Sequence, residues 1–234
     1  MNHLINKEIQ FEDWGLIRYA DAWDKQKTYL NQTLQIKLAN RNLLVESQLP
    51  TPNYLIFCEH PNVYTLGKSG KQQNLLLNQT DLQNAGIEFF PIDRGGDITY
   101  HGPGQIIGYL IFDLENFFTD IGVFLRMMEE GIIQTLSDYG LVAGRIKGLT
   151  GVWLDSEGII PRKIAAMGIK CSRWISMHGF ALNINTDLQY FTNIIPCGIP
   201  DKPVTSLQQE LNQKIDIQIV KVNLKKKIIK CFCT

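Results

Sequence analysis

The sequence has little that points to a charged or membrane-bound partner. Its 23 Lys and Arg balance 23 Asp and Glu, so the net charge is zero. That removes the electrostatic footprint of a nucleic-acid binder or of a protein held on an anionic membrane. No apolar run approaches the ~20 residues that a membrane-crossing helix needs. The N-terminus, MNHLINKEIQFEDWG, lacks a basic start followed by a long apolar stretch, and it is not Arg/Ser-rich and amphipathic; no targeting peptide is expected. Histidine is scarce, at 4, and the 5 cysteines are an odd number. Cys58 and His60 form a close pair, but no second pair follows at ligand spacing, so no zinc or other metal site is expected. Reduced thiols in a cytoplasmic protein are expected instead of a disulfide framework.

Nucleotide-binding motifs are lacking too. LGKSG, from Leu66 to Gly70, tempts a phosphate-loop reading, but the pattern requires a glycine where Asn62 stands. In HGPGQIIG the glycines at 102, 104 and 108 are spaced one residue too far apart for a dinucleotide fingerprint. They also precede an apolar strand instead of opening a helix. Neither G-x-S-x-G nor H-E-x-x-H occurs.

What is present is enough apolar sequence, 44% of 234 residues, for a core in one domain spanning residues 1–234. Residues 21–41 favour a helix, with Trp23, Tyr29 or Leu30, and Leu34 at near-helical spacing. A second amphipathic helix begins at Val123, with Phe124, Met127 or Met128, Ile132 and Leu136 on one face. PNYLIFCEHP and QIIGYLIFDL read as buried strands. DLQNAGIEFFPID reads as a short helix or turn and then a strand. LTGVWLD and KIAAMGIKCSRWISMHGFALNINTD read as Gly-punctuated hairpins. The basic tail from about residue 221, VNLKKKIIKCF, reads as a helix with a solvated lysine face. Strands and helices alternate in no strict order, which predicts an α+β fold with a mixed sheet.

Three segments hold candidate chemistry. In DRGGDITYHGPGQ, Asp93 to Gln105, four glycines would let a ligand approach the backbone, with Arg94 and His101 as polar partners. A β-hairpin whose glycines only serve turns is the alternative. In PRKIAAMGIK, Lys163 precedes a small apolar run, where it either serves a site or snorkels to water. In IIPCGIP, Cys197 stands between Pro196 and Gly198, a rigid presentation of one thiol. Cys58 lies in an apolar strand, Cys171 in a strand-like segment, and Cys231 and Cys233 in a tail expected to be mobile.

RGGDITYHGPGQ, RKIAAMGIK, HGFALNINTDL and IIPCGI, in that order, resemble the lipoyl(octanoyl) transferases, also called octanoyl-[acyl-carrier-protein]–protein transferases. The resemblance runs from EHPNVYTLG at Glu59 to VTSL at Val204. It implies the α+β catalytic fold of biotin and lipoate protein ligases. It also implies transfer of an octanoyl group from octanoyl-acyl carrier protein to a lysine of a lipoyl domain. Acceptors would be 2-oxoacid dehydrogenase E2 subunits or the glycine cleavage H protein. No cofactor is implied beyond the phosphopantetheine arm that delivers the acyl group, nor any nucleic acid or membrane partner, and a monomer is expected. By position, Cys197 matches the acyl-thioester cysteine, and Lys163 the lysine that lowers its pKa. Arg94, Gly95, Gly96, Asp97, Ile98, Thr99, Tyr100 and His101 match the substrate-binding loop. Ala166, Met167 and Gly168, with Gly179, Phe180 and Ala181, match two acyl-binding stretches.

Those residue types suit the chemistry. A thiol ordinarily ionises near pH ~8.5 and an amine near ~10.4, so a proton shared between them rests on the lysine. At ~4 Å and an effective dielectric near 20, the ion pair gains about 4 kcal/mol before desolvation is subtracted. Thioester exchange is nearly balanced and thioester-to-amide transfer runs downhill, so no nucleotide is required. Rival readings are an ATP-dependent lipoate–protein ligase, a lipoyl-domain amidotransferase and a non-enzymatic acyl- or biotin-binding module.

Overall fold

The computed structural model describes residues 3–195 and 203–233. Strand β1 (Ile9–Leu16), helix α1 (Tyr19–Asn40) and strand β2 (Asn53–Glu59) form a β–α–β unit with parallel strands. Strand β3 (Val63–Leu66), helix α2 (Gln79–Ala85), strand β4 (Glu88–Pro91) and strand β5 (Ile98–His101) come next. Strand β6 (Gln105–Ile111) and helix α3 (Ile121–Ser137) lead to β7 (Ala143–Ile146), β8 (Leu149–Leu154), β9 (Arg162–Ser172) and β10 (Ile175–Asn183). The chain ends in a short α4 (Leu207–Leu211) and α5 (Ile217–Cys233). Seven strands make one sheet in the order β1-β2-β6-β10-β9-β8-β7, and three make another in the order β4-β3-β5. The architecture is the expected α+β mixed sheet.

The large sheet is a middle layer, and the period of two along its strands decides what each face meets. Leu55, Phe57, Ile106 and Leu110 face α3 and α5, packing against Phe124, Met128, Ile132, Val220, Leu224, Ile228 and Phe232. Ile56, Cys58, Ile107, Tyr109 and Ile111 face α1. Helices on both faces explain why every residue of β6 is buried, which gives its sequence a continuous apolar run instead of an alternating one. Each large apolar side chain taken out of water here contributes roughly 1.5–3 kcal/mol. Helix α3 starts at Asp120, whose side chain accepts from the Val123 N–H at 2.9 Å. Its buried stripe is the expected one, with Met128 inward and Met127 only half-buried.

Three expectations change. Helix α1 buries Tyr19, Ala22, Gln26 and Thr33, while Trp23, Tyr29, Leu30 and Leu34 are partly buried at its margins. The terminal segment is a packed helix, not a mobile tail: Val220, Leu224, Ile228 and Phe232 enter the main core. Even Lys221 is buried, with its Nζ 3.0 Å from Asp13 Oδ2. The Gly-rich stretch is no hairpin, since β5 pairs with β3 and β6 pairs with β2 and β10.

Candidate active site

The β9/β10 hairpin carries the first part of the site. Its register sets Ala166 against Ala181, Met167 against Phe180, and Gly168 against Gly179. The two expected acyl-binding stretches are therefore cross-strand partners forming one patch of mostly small residues. All six border a cavity of about 500 Å³ with a mainly apolar lining. That size is within the range of small-molecule sites.

The loop before β5 closes one wall. Gly95 N–H donates to Ile169 O at 2.8 Å, tying the loop to β9. A Cβ on Gly168 would lie 2.6 Å from Gly95 O, so the two backbones meet only because residue 168 has no side chain. Gly96 turns the chain at φ +89, a conformation that L side chains rarely adopt. Arg94 is buried beneath, donating to Thr65 O and Thr65 Oγ1, each at 2.9 Å, and to Gly95 O at 3.0 Å. The LGKSG stretch braces this loop from behind. The N–H groups of Gly67, Lys68 and Ser69 donate to the carbonyls of Asp97, Arg94 and Gly96. They are spent on protein acceptors, so they form no phosphate cradle.

His101 is neutral, because burial, with His60 nearby, pushes its pKa down to about 3. Gln105 Nε2 donates to Asn183 Oδ1 at 2.9 Å, which leaves Gln105 Oε1 to accept from His101 Nδ1 at 2.8 Å. His101 Nε2 then faces Thr65 Oγ1 at 3.3 Å. His101 is thus part of a buried chain from Arg94 to Asn183. Arg94, Gly95, Gly96, Asp97, Ile98, Thr99 and His101 border the cavity, whereas Tyr100 does not. Tyr100 stacks on Tyr190 at 4.8 Å and donates to Asn62 Oδ1 at 2.8 Å, on the far side of the small sheet.

Lys163 also lines the cavity, with Nζ 4.6 Å over the Trp153 ring. Its N–H donates to Pro203 O and its carbonyl accepts from Thr205 N–H, both at 2.9 Å. The segment that carries Cys197 leaves after Ile195, whose N–H donates to Asn74 O at 2.9 Å, and returns at Pro203 beside Lys163. Cys197 itself lies outside the described residues. Among the other cysteines, burial raises the pKa of Cys58, Cys171 and Cys231, which makes their thiols poor nucleophiles. Both nitrogens of His60 are committed: Nδ1 donates to Ile17 O at 2.7 Å and Nε2 accepts from Tyr109 OH at 2.6 Å.

Sequence reading missed one cluster. His178 sits within β10 at φ +66, a strained position for a non-glycine residue. Its N–H donates to Gln26 Oε1 at 3.0 Å, and its Nε2 donates to Asp93 Oδ1 at 3.1 Å. Lys170 Nζ reaches Asp93 Oδ2 at 2.5 Å. The His178 hydrogen bond, with Lys170, holds the Asp93 carboxyl well below the usual carboxylate range, while burial lowers His178. The HGFALN motif contained this histidine, but only the fold brings Asp93 to it.

A small-residue cavity on paired strands, closed by an arginine-backed glycine loop, defines a catalytic domain of the lipoate and biotin protein ligase fold. The lipoate protein ligase of Thermoplasma acidophilum superposes with a TM-score of 0.66 at 15% identity, over 98% of this chain and 84% of that one. A biotin protein ligase from Aquifex aeolicus gives 0.51 at 10%, over 97% and 71%. Residues 28–229 match the lipoyl protein ligase A/B catalytic domain. An octanoyltransferase of Cytophaga hutchinsonii is 56% identical over 99% of this chain and 96% of that protein. The chain belongs to this family and, within it, to the octanoyltransferases, which are acyltransferases.

Proposed function

We propose that the protein transfers an octanoyl group from octanoyl-acyl carrier protein to a lysine of a lipoyl domain, through an acyl-thioester on Cys197. The observation that carries this reading is the placement of Lys163. It lines an apolar cavity, and its backbone is hydrogen-bonded to Pro203 and Thr205, where the described chain resumes after Cys197.

The Cys197 thiolate attacks the carrier's thioester carbonyl, forming the new thioester as the phosphopantetheine sulfur leaves. Lys163, as the ammonium, gives its proton to that departing thiolate and becomes neutral. The neutral amine of the acceptor lysine then attacks the acyl-enzyme and loses a proton to Lys163. Cys197 departs as thiolate, the amide forms, and the ion pair is restored. Two charges appear and vanish together, so the pair titrates as one unit. The acyl chain lies along the Ala166–Gly168 and Gly179–Ala181 patch, and backbone N–H groups near Cys197 and the glycine-rich segments stabilise the oxyanion. The acceptors proposed are lipoyl domains of 2-oxoacid dehydrogenase E2 subunits or the glycine cleavage H protein, met by a monomeric, cytoplasmic enzyme with no cofactor of its own.

Intact-mass measurement after mixing with octanoyl-acyl carrier protein tests the reading. One added octanoyl group is expected on Cys197, discharged by an apo lipoyl domain. Transfer that persists in Cys197→Ser without ATP would refute it.

A further inference from the structure

Two hydrogen-bonded anchors converge on the segment Pro203–Thr205, which forms a one-residue parallel bridge to Lys163 through Val204. Glu210 of α4 joins the neighbours of both bridge partners, Arg162 beside Lys163 and Thr205 beside Val204. Its Oε1 accepts from Thr205 Oγ1 at 2.6 Å and from Arg162 Nε at 2.8 Å, and its Oε2 accepts from Arg162 Nη2 at 3.0 Å. Arg162 directly precedes Lys163, so one carboxylate links the strand of the lysine to the segment beside it. This is the two-pronged geometry in which an arginine–carboxylate pair fixes orientation as well as energy. From the inner side, Asn183 Nδ2 donates to Thr205 O at 3.0 Å, and Gln105 holds Asn183 in turn. Thr205 is fully buried.

We infer that Thr205 and Glu210 are positioning residues that set the register of Pro203–Thr205 against Lys163, the residue proposed to move the protons. This inference rests on the proposed acyl-enzyme reading. The bridge alone is two backbone hydrogen bonds. A short connection held by two such bonds can slip, and a slip of a single residue would shift Pro203–Thr205 along Lys163 by ~3.3 Å. Misplacement of reacting groups by about 1 Å costs ~100-fold in rate. The Glu210 carboxylate removes that freedom because it binds side chains on both sides of the bridge at once.

Thr205→Val keeps the volume of the side chain and removes its hydroxyl. Single-turnover transfer from octanoyl-acyl carrier protein onto Cys197 is expected to slow by ~10- to 100-fold at saturating donor. The half-saturating donor concentration is expected to stay unchanged. Thr205→Ser restores the rate, and Glu210→Gln, which retains an acceptor but loses the charge facing Arg162, slows it less than Thr205→Val does. Thermal melts of each variant give the folded fraction. A Thr205→Val protein that loads Cys197 at the unaltered rate, or slows only in proportion to its unfolded fraction, would overturn the inference. Absence of any octanoyl adduct on Cys197 of the unaltered protein would overturn the functional reading itself, and this inference with it.

Discussion

At the scale of single residues, the site depends on where side chains are missing as much as on where they are present. Gly168 lets β9 approach the glycine loop, and the Gly95–Ile169 hydrogen bond holds that approach. In Gly168→Ala the nearest obstacle is a backbone carbonyl, which cannot rotate aside as a flexible side chain would. The loop must retreat, taking Arg94 with it, since a Cβ there also meets Arg94 Cδ at 3.0 Å. Cys197 acylation is expected to fall by ~100-fold, read by time-resolved intact mass. The candidate residues were legible in the sequence as types: a glycine run, a lysine before small residues, a cysteine between proline and glycine. The contribution of Asp93 to His178 was not, because the two lie 85 positions apart and meet only across the sheet. Tyr100 shows the same limit in reverse. Its place in a motif suggested the site, and the alternation of β5 turned it into the small core instead.

At the scale of elements, the C-terminal helix is the largest revision. Its lysines suggest a solvated surface, yet Val220, Leu224, Ile228 and Phe232 follow helical spacing and fill the α3 face of the sheet. Phe232 meets Phe112 edge-on at 5.1 Å and lies 5.5 Å from Phe124. Phe232→Ala is expected to cost about 3–5 kcal/mol, measured by urea denaturation, since it empties a site shared by several rings. Strand β1 was missed for a related reason. It is an edge strand with the mixed burial of an element half in water, and it pairs with β2 only after α1 has crossed over.

At the scale of the whole molecule, three of the 4 histidines are buried near the cavity, and burial lowers the pKa of each. His60 is pushed down to about 4 and His101 to about 3, from 6.5 in the unfolded chain. Between those values the unfolded chain binds protons that the folded protein refuses. Stability is therefore fully present above about pH 6.5 and falls as the pH drops from there toward about 4. Asp93, whose pKa is lowered on folding, adds a further loss below 3.8. Urea midpoints should stay level from pH 7.5 to about 6.5 and then fall toward pH 4, and a flat profile throughout would contradict the neutral buried histidines. Taken alone, the sequence determined the α+β class, the two long helices, the buried strands and the family, because local periodicity and ordered motifs survive without tertiary context. Only the tertiary structure decided that the two small-residue stretches are cross-strand partners, that LGKSG braces the glycine loop, and that Lys163 lies against the return of the Cys197 segment. Those are matters of register and of contacts between distant positions, which arise when the sheet pairs and which no local pattern encodes.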